Sequence, residues 1–298
     1  VKLHSVRSNQ WLYVDWWLMN HCSWRCSYCH ERLRNGTIEL VGIRDCLRFV
    51  ESVTAYARSN GKIVDFNFTG GEVTEWNEFP ELVQRAKSLG NRVCFRTNAN
   101  CDINTWQTLI KSVDSLNIDL HPEHTMISKF MLAVDRAVTQ GVSVTVTANM
   151  MKDRWDELTV TLAAINEKYP QVRVNKRMLF EDPIVNTKPV DYDQQQLEEI
   201  RDQRGDLVFT DQSGDQRYTD YQTLVLESKN VFTKWRCDIG LEQIIVDAWG
   251  KIQRGHCRVG GKIGEITDDT IYWPSQGVTC ISEVCRNAFD IQATKSLL

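Results

Sequence analysis

The feature that most constrains this chain is the run Asn20-His21-Cys22-Ser23-Trp24-Arg25-Cys26-Ser27-Tyr28-Cys29-His30, with its C-x3-C-x2-C spacing. Three thiolates so placed can face one centre and hold an iron–sulfur cluster. Because only three converge, a four-iron cluster would keep one iron open to another ligand. Two rival readings use the same letters. Cys26-Ser27-Tyr28-Cys29-His30 spells the C-x-x-C-H signal for c-type haem attachment, which requires an exported, oxidising setting and leaves Cys22 unexplained. Zinc held by the three cysteines and His30 is the other, better suited to a small finger.

The cysteine spacing, the aromatic Tyr28 before the third cysteine, and Gly70-Gly71-Glu72 further on together resemble the radical S-adenosylmethionine (radical SAM) superfamily. The resemblance implies that the open iron of a [4Fe-4S] cluster is chelated by the amine and carboxylate of SAM. It implies that the reduced cluster cleaves SAM to methionine and a 5′-deoxyadenosyl radical, which abstracts hydrogen from a substrate. A flavodoxin- or ferredoxin-type reductant is implied as well. In such enzymes the cofactor carries the hard chemistry and the protein supplies position and shielding.

The order of elements agrees. Apolar runs alternate with amphipathic stretches from residue 12 to about 180. Strands are predicted over Leu12–Met19, Lys62–Thr69, Arg92–Thr97, Ser115–Leu120, Val142–Asn149 and Val172–Met178. Helices are predicted over Glu39–Ser59, Pro80–Leu89, Trp106–Lys111, Ser128–Gln140 and Asp153–Lys168. Strand–helix alternation without hairpin signals implies a parallel sheet with helices outside it. The resemblance makes this α/β fold a partial (β/α)6 barrel, a partial TIM barrel, over residues 12–180. Residues 181–234, with Pro183, Pro189 and a polar helix near Gln194–Arg204, read as a connector.

In parallel barrels chemistry gathers at the C-terminal ends of the strands. The cysteine run, Gly70–Glu72, Thr97–Asn100, Asp119–His124 and Asn149 all fall just after predicted strands. Gly70 and Gly71 remove side chains that would block backbone approach to a ligand. By resemblance, Glu72 takes the methionine amine of SAM. Thr97-Asn98-Ala99-Asn100 resembles the family's Thr-Asn-Gly segment with alanine for glycine. Tyr28, Thr97, Asn98, Asp119 and Asn149 complete the expected cofactor-binding set. His121, Glu123 and His124 are candidates for substrate contact or helix capping, and Arg177 for binding a carboxylate. Cys101 is the candidate catalytic thiol, placed to return a hydrogen atom to a substrate radical.

Ten cysteines are many for an intracellular enzyme. Their clustering favours ligand sets in a reducing compartment over a disulfide framework, so a cytoplasmic setting is expected. Cys237, Cys257, Cys280 and Cys285 form the second set, C-x19-C-x22-C-x4-C, with a strand–turn–strand pattern over Ile244–Ile252. Residues 235–290 resemble the SPASM/twitch extension, which implies a small β-hairpin domain and an auxiliary [4Fe-4S] cluster on four cysteines. A structural zinc site is the alternative. A net charge of −4 gives no sign of nucleic-acid binding, and no run of apolar residues is long enough to span a membrane.

The leading expectation is a maturase of a ribosomally made precursor peptide, acting by cross-linking, epimerisation, oxidation or residue excision (RiPP maturation). The short stretch ahead of the first strand leads us to expect a separate peptide-recognition protein. A radical SAM dehydrogenase, epimerase or cyclase acting on a small molecule is the alternative, and a non-enzymatic zinc-binding protein the remote one. Radical initiation is common to many chemistries, so the bond that changes is not encoded in these motifs.

Overall fold

The computed structural model describes residues 1–7, 9–182, 188–201 and 205–297. Pro183 and residues 202–204 of the expected connector and its helix lie outside the described residues. After β1 (Lys2–Ser5) the chain alternates through β2 (Trp11–Met19), α1 (Ile43–Ser59), β3 (Ile63–Gly70), α2 (Phe79–Ser88), β4 (Arg92–Thr97) and α3 (Ile103–Ile110). It continues through β5 (Ser115–Leu120), α4 (Ile127–Thr139), β6 (Ser143–Asn149), α5 (Trp155–Lys168) and β7 (Arg173–Arg177). The strands β2 to β7 pair in parallel, in chain order. Arg92–Thr97 and Ser115–Leu120 coincide with their predicted spans. The helix expected from Trp106 begins earlier, at Ile103, because the Asp102 carboxylate caps the free N–H groups of Asn104 and Thr105.

Alternation within the strands decides what each face does. On β3, Val64, Phe66 and Phe68 are fully buried on the outer face. They join an aromatic ladder: Phe66 stacks on Phe68 at 5.4 Å, and Phe79 of α2 meets Phe68 edge-on at 5.7 Å and Phe95 at 5.3 Å. Trp16 of β2 meets Phe49 of α1 at 5.0 Å. The inner faces are different. Asp65, Asn67 and Thr69 of β3, Arg96 of β4, Asn117 and Asp119 of β5, Thr145, Thr147 and Asn149 of β6, and Asn175 and Arg177 of β7 all line one cavity. Parallel strands usually carry apolar side chains on both faces, and closed barrels fill with branched ones. Here β3 to β7 turn mostly polar side chains into the cavity, while β2 adds Trp11 and Tyr13 beside Asp15.

The remainder is α6 (Gln194–Arg201), β8 (Leu207–Thr210), β9 (Gln216–Thr219), α7 (Tyr221–Leu226), β10 (Arg236–Cys237), β11 (Gln243–Val246), β12 (Lys251–Gln253), β13 (Lys262–Glu265), β14 (Val278–Thr279), α8 (Ala288–Ile291) and β15 (Lys295–Ser296). The strand–turn–strand pattern expected between Cys237 and Cys257 is the antiparallel hairpin β11–β12. Its turn is fixed by Asp247, which accepts the N–H groups of Trp249 and Lys251, and by Gly250 at φ +78°.

Two pairings have no local signal in the sequence. β11 pairs in parallel with β2, setting Ile245 opposite Asp15, so the hairpin and β13 extend the main sheet to nine strands. β1 lies between β15 and β8 in a second, six-stranded sheet. Among the described residues no helix is long and apolar enough to cross a membrane.

Phe79 joins α2 to two strands and is fully buried. Phe79→Ala is expected to cost about 3–5 kcal/mol of folding stability, read from urea unfolding monitored by far-UV circular dichroism.

Candidate functional site

The chain enters the cysteine loop directly from the end of β2, and the neighbouring strand fixes that exit. Gly71 N–H donates to the Met19 carbonyl and Glu72 N–H to the His21 carbonyl, both at 2.7 Å. A Cβ on Gly71 would stand 1.7 Å from the His21 oxygen, and one on Gly70 (φ +130°) 2.4 Å from the Met19 oxygen. The glycines are predicted to clear space for a ligand. Both glycines line the cavity, and the close approach they permit is also to the backbone that leads to Cys22.

Two carboxylates grip the loop from outside. Glu75 accepts from the Ser23 N–H at 3.0 Å and from its hydroxyl at 2.5 Å, and stands 3.2 Å from His21 Nε2. Glu123 accepts from the Ser27 N–H at 2.7 Å and from the Ser27 hydroxyl. Each gripped serine directly follows a cysteine. Arg34 Nε donates to the Cys29 carbonyl at 3.0 Å. His30 Nδ1 accepts the Arg32 N–H at 3.1 Å, so that nitrogen caps the turn Glu31–Leu33.

Of the three residues after β5 read as candidates for substrate contact or helix capping, one lines the cavity and two do not. Glu123 and His124 are candidates for substrate contact, yet neither lines the cavity. Glu123 is engaged by Ser27, and His124 packs against Trp24 at 5.5 Å. His121 does line the cavity, with its Nδ1 at 2.8 Å from Tyr28 Oη and 3.5 Å from Cys26 Sγ.

Cys22, Cys26 and Cys29 all line the same 790 Å³ cavity. Burial pushes all three thiols up, Cys22 to about 12. A soft, all-sulfur donor set that leaves a coordination position open toward a cavity fits an iron–sulfur cluster.

Glu72 is 3% exposed, and its carboxylate accepts from Thr74 N–H at 3.2 Å, Thr74 Oγ1 at 2.7 Å, Thr97 Oγ1 at 2.7 Å and Asn98 N–H at 2.7 Å. Burial pushes this carboxyl up, and the hydrogen bonds pull it back in part. Glu72 therefore orders the Thr97–Asn98 segment as well as facing the cavity. Thr97 Oγ1 and Asn98 Oδ1 accept the N–H groups of Ala99 and Asn100 at 2.9 Å each. These turns hold Ala99 in the left-handed region at φ +58°, where the family pattern has glycine.

Asp119 is 4% exposed and lies between two arginines, Arg96 at 2.9 Å and Arg177 at 3.0 Å. Arg177 also donates to Asn149 Oδ1 at 3.3 Å. Asp119, one of the expected cofactor-binding residues, lines the cavity as the centre of an ion-pair cluster. Arg177, a predicted substrate group, belongs to the same cluster. Arg96 was not predicted, although it shares strand parity with Cys94 and could have been placed inward on that ground. Asn149 Nδ2 is a buried donor with no partner among the described residues. An orphaned donor in the wall of a cavity suits a polar ligand such as SAM.

Cys101, the predicted catalytic thiol, does not line the cavity and packs against the apolar core. The turn at Ala99 carries it away, and burial pushes its thiol up to about 12. Cys94 lines the cavity instead, with Asn117 Nδ2 at 3.3 Å from its sulfur.

In the second cysteine set, Cys280 and Cys285 pack in one small apolar cluster and Cys237 and Cys257 in another. Cys237 and Cys285 are buried, Cys257 and Cys280 half-buried. Cys285 feels the charge of Cys237 and of Cys280, and Cys257 that of Cys285. Lys295 is 1% exposed, and its ammonium pulls the Cys237 and Cys285 thiols down against the larger effect of burial. Four soft donors beside a buried cation fit a metal centre, cluster or zinc.

Comparison with known proteins matches residues 18–152 to the family model of the radical SAM superfamily. No curated protein matches the sequence. Among solved structures the chain is similar to SuiB of Streptococcus suis bound to precursor peptide SuiA, with 13% identity and a TM-score of 0.58. That match covers 89% of this chain and 65% of SuiB. It is also similar to native anSMEcpe with bound AdoMet, with 13% identity, a TM-score of 0.56, and 87% and 79% of the two chains covered. The form of anSMEcpe with AdoMet and the Kp18Cys peptide gives 14% identity and a TM-score of 0.58, with the same coverage. At these identities the likeness is one of fold.

Gly71→Ala is expected to lower folding stability by roughly 3 kcal/mol, and to lower iron uptake by the folded fraction, read together by thermal melting and iron analysis. Ala99→Gly is expected to raise stability by about 1 kcal/mol by relieving the left-handed backbone, read from the urea midpoint.

Proposed function

We propose that the chain, whose residues 18–152 match the radical SAM family model, is a radical SAM enzyme, that Cys22, Cys26 and Cys29 hold its [4Fe-4S] cluster and that its substrate is a ribosomally made precursor peptide. One observation carries the cofactor assignment. The three cysteines, Tyr28, Glu72, Thr97, Asn98 and Asn149 line a single cavity. When bound there, the cluster and SAM would supply one-electron chemistry that makes a substrate radical.

The protein's own contributions follow from the geometry. The Ser23 and Ser27 contacts fix the loop that presents the thiols. Glu72 would take the amine of SAM, and Asn149 Nδ2 would donate to one of its polar groups. The paired Arg96–Asp119–Arg177 cluster gives the wall a fixed charge pattern. We extend the proposal to a partial (β/α)6 barrel over 12–180, a connector over 181–234, and a twitch-like unit over 235–290. In that unit Cys237, Cys257, Cys280 and Cys285 hold an auxiliary [4Fe-4S] cluster. A cytoplasmic setting, a flavodoxin- or ferredoxin-type donor and a separate peptide-recognition protein complete it.

The peptide assignment is supported by likeness to SuiB bound to its precursor peptide and to anSMEcpe with a bound peptide. A small polar substrate is the second reading, favoured by the charged interior of the strands. Deuterium transfer into 5′-deoxyadenosine from a labelled peptide, and none from labelled polyols or nucleotides, would support the first; the reverse would establish the second.

Anaerobically reconstituted protein is expected to hold about eight irons per chain and the Cys22/Cys26/Cys29→Ala variant about four. Dithionite should release 5′-deoxyadenosine from SAM with the parent protein, and at least a hundredfold less with the variant. Equal release by both would contradict the assignment of the N-terminal cysteines.

A further inference from the structure

One pair of side chains joins the cavity to the second cysteine set. Asp15, on the inner face of β2, is 6% exposed and lines the cavity. Its Oδ1 accepts Asn67 Nδ2 at 2.5 Å, and its Oδ2 lies 2.7 Å from His256 Nε2. His256 stands behind Asp15 against the edge of Phe289, 6.1 Å away.

His256 is also the residue before Cys257. The backbone N–H groups of His256 and Cys257 donate to the two oxygens of Asp290 at 2.8 and 2.7 Å. A Cβ on Gly255 would stand 2.8 Å from Asp290 Oδ1, so this grip requires the glycine. Asp290 is 2% exposed, and its carbonyl accepts Lys295 Nζ at 2.6 Å. The Cys257 backbone is therefore braced on one side by Asp290 and tied through His256 to the cavity wall on the other.

Resting on the reading of the second cysteine set as an auxiliary-cluster site, we propose that Asp15 and His256 are positioning residues that couple the cavity to that cluster. Neither touches a cysteine sulfur as ligand. They act by setting where Cys257 stands and which charge the cluster feels. Partners just outside a metal's ligands orient those ligands and tune the metal. Hydrogen bonds in series through a low-dielectric interior polarise one another. A carboxylate has acceptor capacity beyond two hydrogen bonds, so Asp15 can engage a ligand in the cavity while holding His256. β2 also carries Met19 at its end, where the first cysteine loop begins, so one strand serves both sites.

The test isolates the auxiliary site. The Cys22/Cys26/Cys29→Ala protein is reconstituted anaerobically, reduced, and measured by iron analysis and electron paramagnetic resonance. Asp15→Asn, which keeps the shape and removes the charge, is added to one sample and His256→Gln to another. Both are expected to retain about four irons per chain and to shift the g values and midpoint potential of the signal. Four irons with an unchanged spectrum and potential in Asp15→Asn would overturn the coupling and leave the auxiliary cluster standing. An iron-free parent triple variant would overturn the cluster, and the coupling with it. If His256→Gln does not fold, Asp15→Asn alone decides, because Asp15 lies on β2, outside the cysteine segment.

Discussion

Two backbone hydrogen bonds, from Gly71 to Met19 and from Glu72 to His21, hold the end of one strand against the exit of its neighbour. The rest of the site depends on them. They exist because neither glycine has a Cβ to collide with the His21 and Met19 carbonyls. They fix where Cys22 begins, and they carry the Glu72 carboxylate inward. Glu72 then reaches the third strand end through Thr97 and Asn98. A buried carboxylate costs several kcal/mol unless its oxygens are satisfied. Four donors meet that demand, and meeting it leaves the Thr97–Asn98 segment little freedom. One Gly-Gly-Glu run thus registers three strand ends.

The cavity those ends surround takes charged and amide side chains from β3 to β7, with aromatic and aliphatic residues completing its wall. The aromatic ladder of Phe66, Phe68, Phe79 and Phe95 lies on the other side of the strands, against the helices. Stability and chemistry are divided by strand parity. The outer face buries apolar surface, while the inner face keeps a polar cavity that water, cofactor or substrate can fill. The polar wall is itself ordered by ion pairs, chiefly Asp119 between Arg96 and Arg177.

Much of this was legible in the sequence. The cysteine run and Gly-Gly-Glu are local patterns, and the strand–helix alternation is set by apolar periodicity, so both could be read directly. What escaped was long-range. The grip of Glu123 on Ser27 and of Glu75 on Ser23 joins residues with no shared period. So does the pairing of β11 with β2. Cys101 stands out in the sequence because it lies just past the Thr97–Asn100 loop. Strand parity, which sets Cys94 beside Arg96 on the inner face, is the signal that points to Cys94 instead. The two arginines that converge on Asp119 come from different strands, and no local pattern in the sequence joins them.

The central claim is that the N-terminal loop holds a cluster with an open position facing SAM. It is tested most directly by electron paramagnetic resonance of reduced protein in which Cys237, Cys257, Cys280 and Cys285 are replaced by alanine. The account predicts a signal from one remaining cluster whose g values change when SAM is added. A signal that SAM leaves untouched, or none from folded and iron-loaded protein, would contradict it.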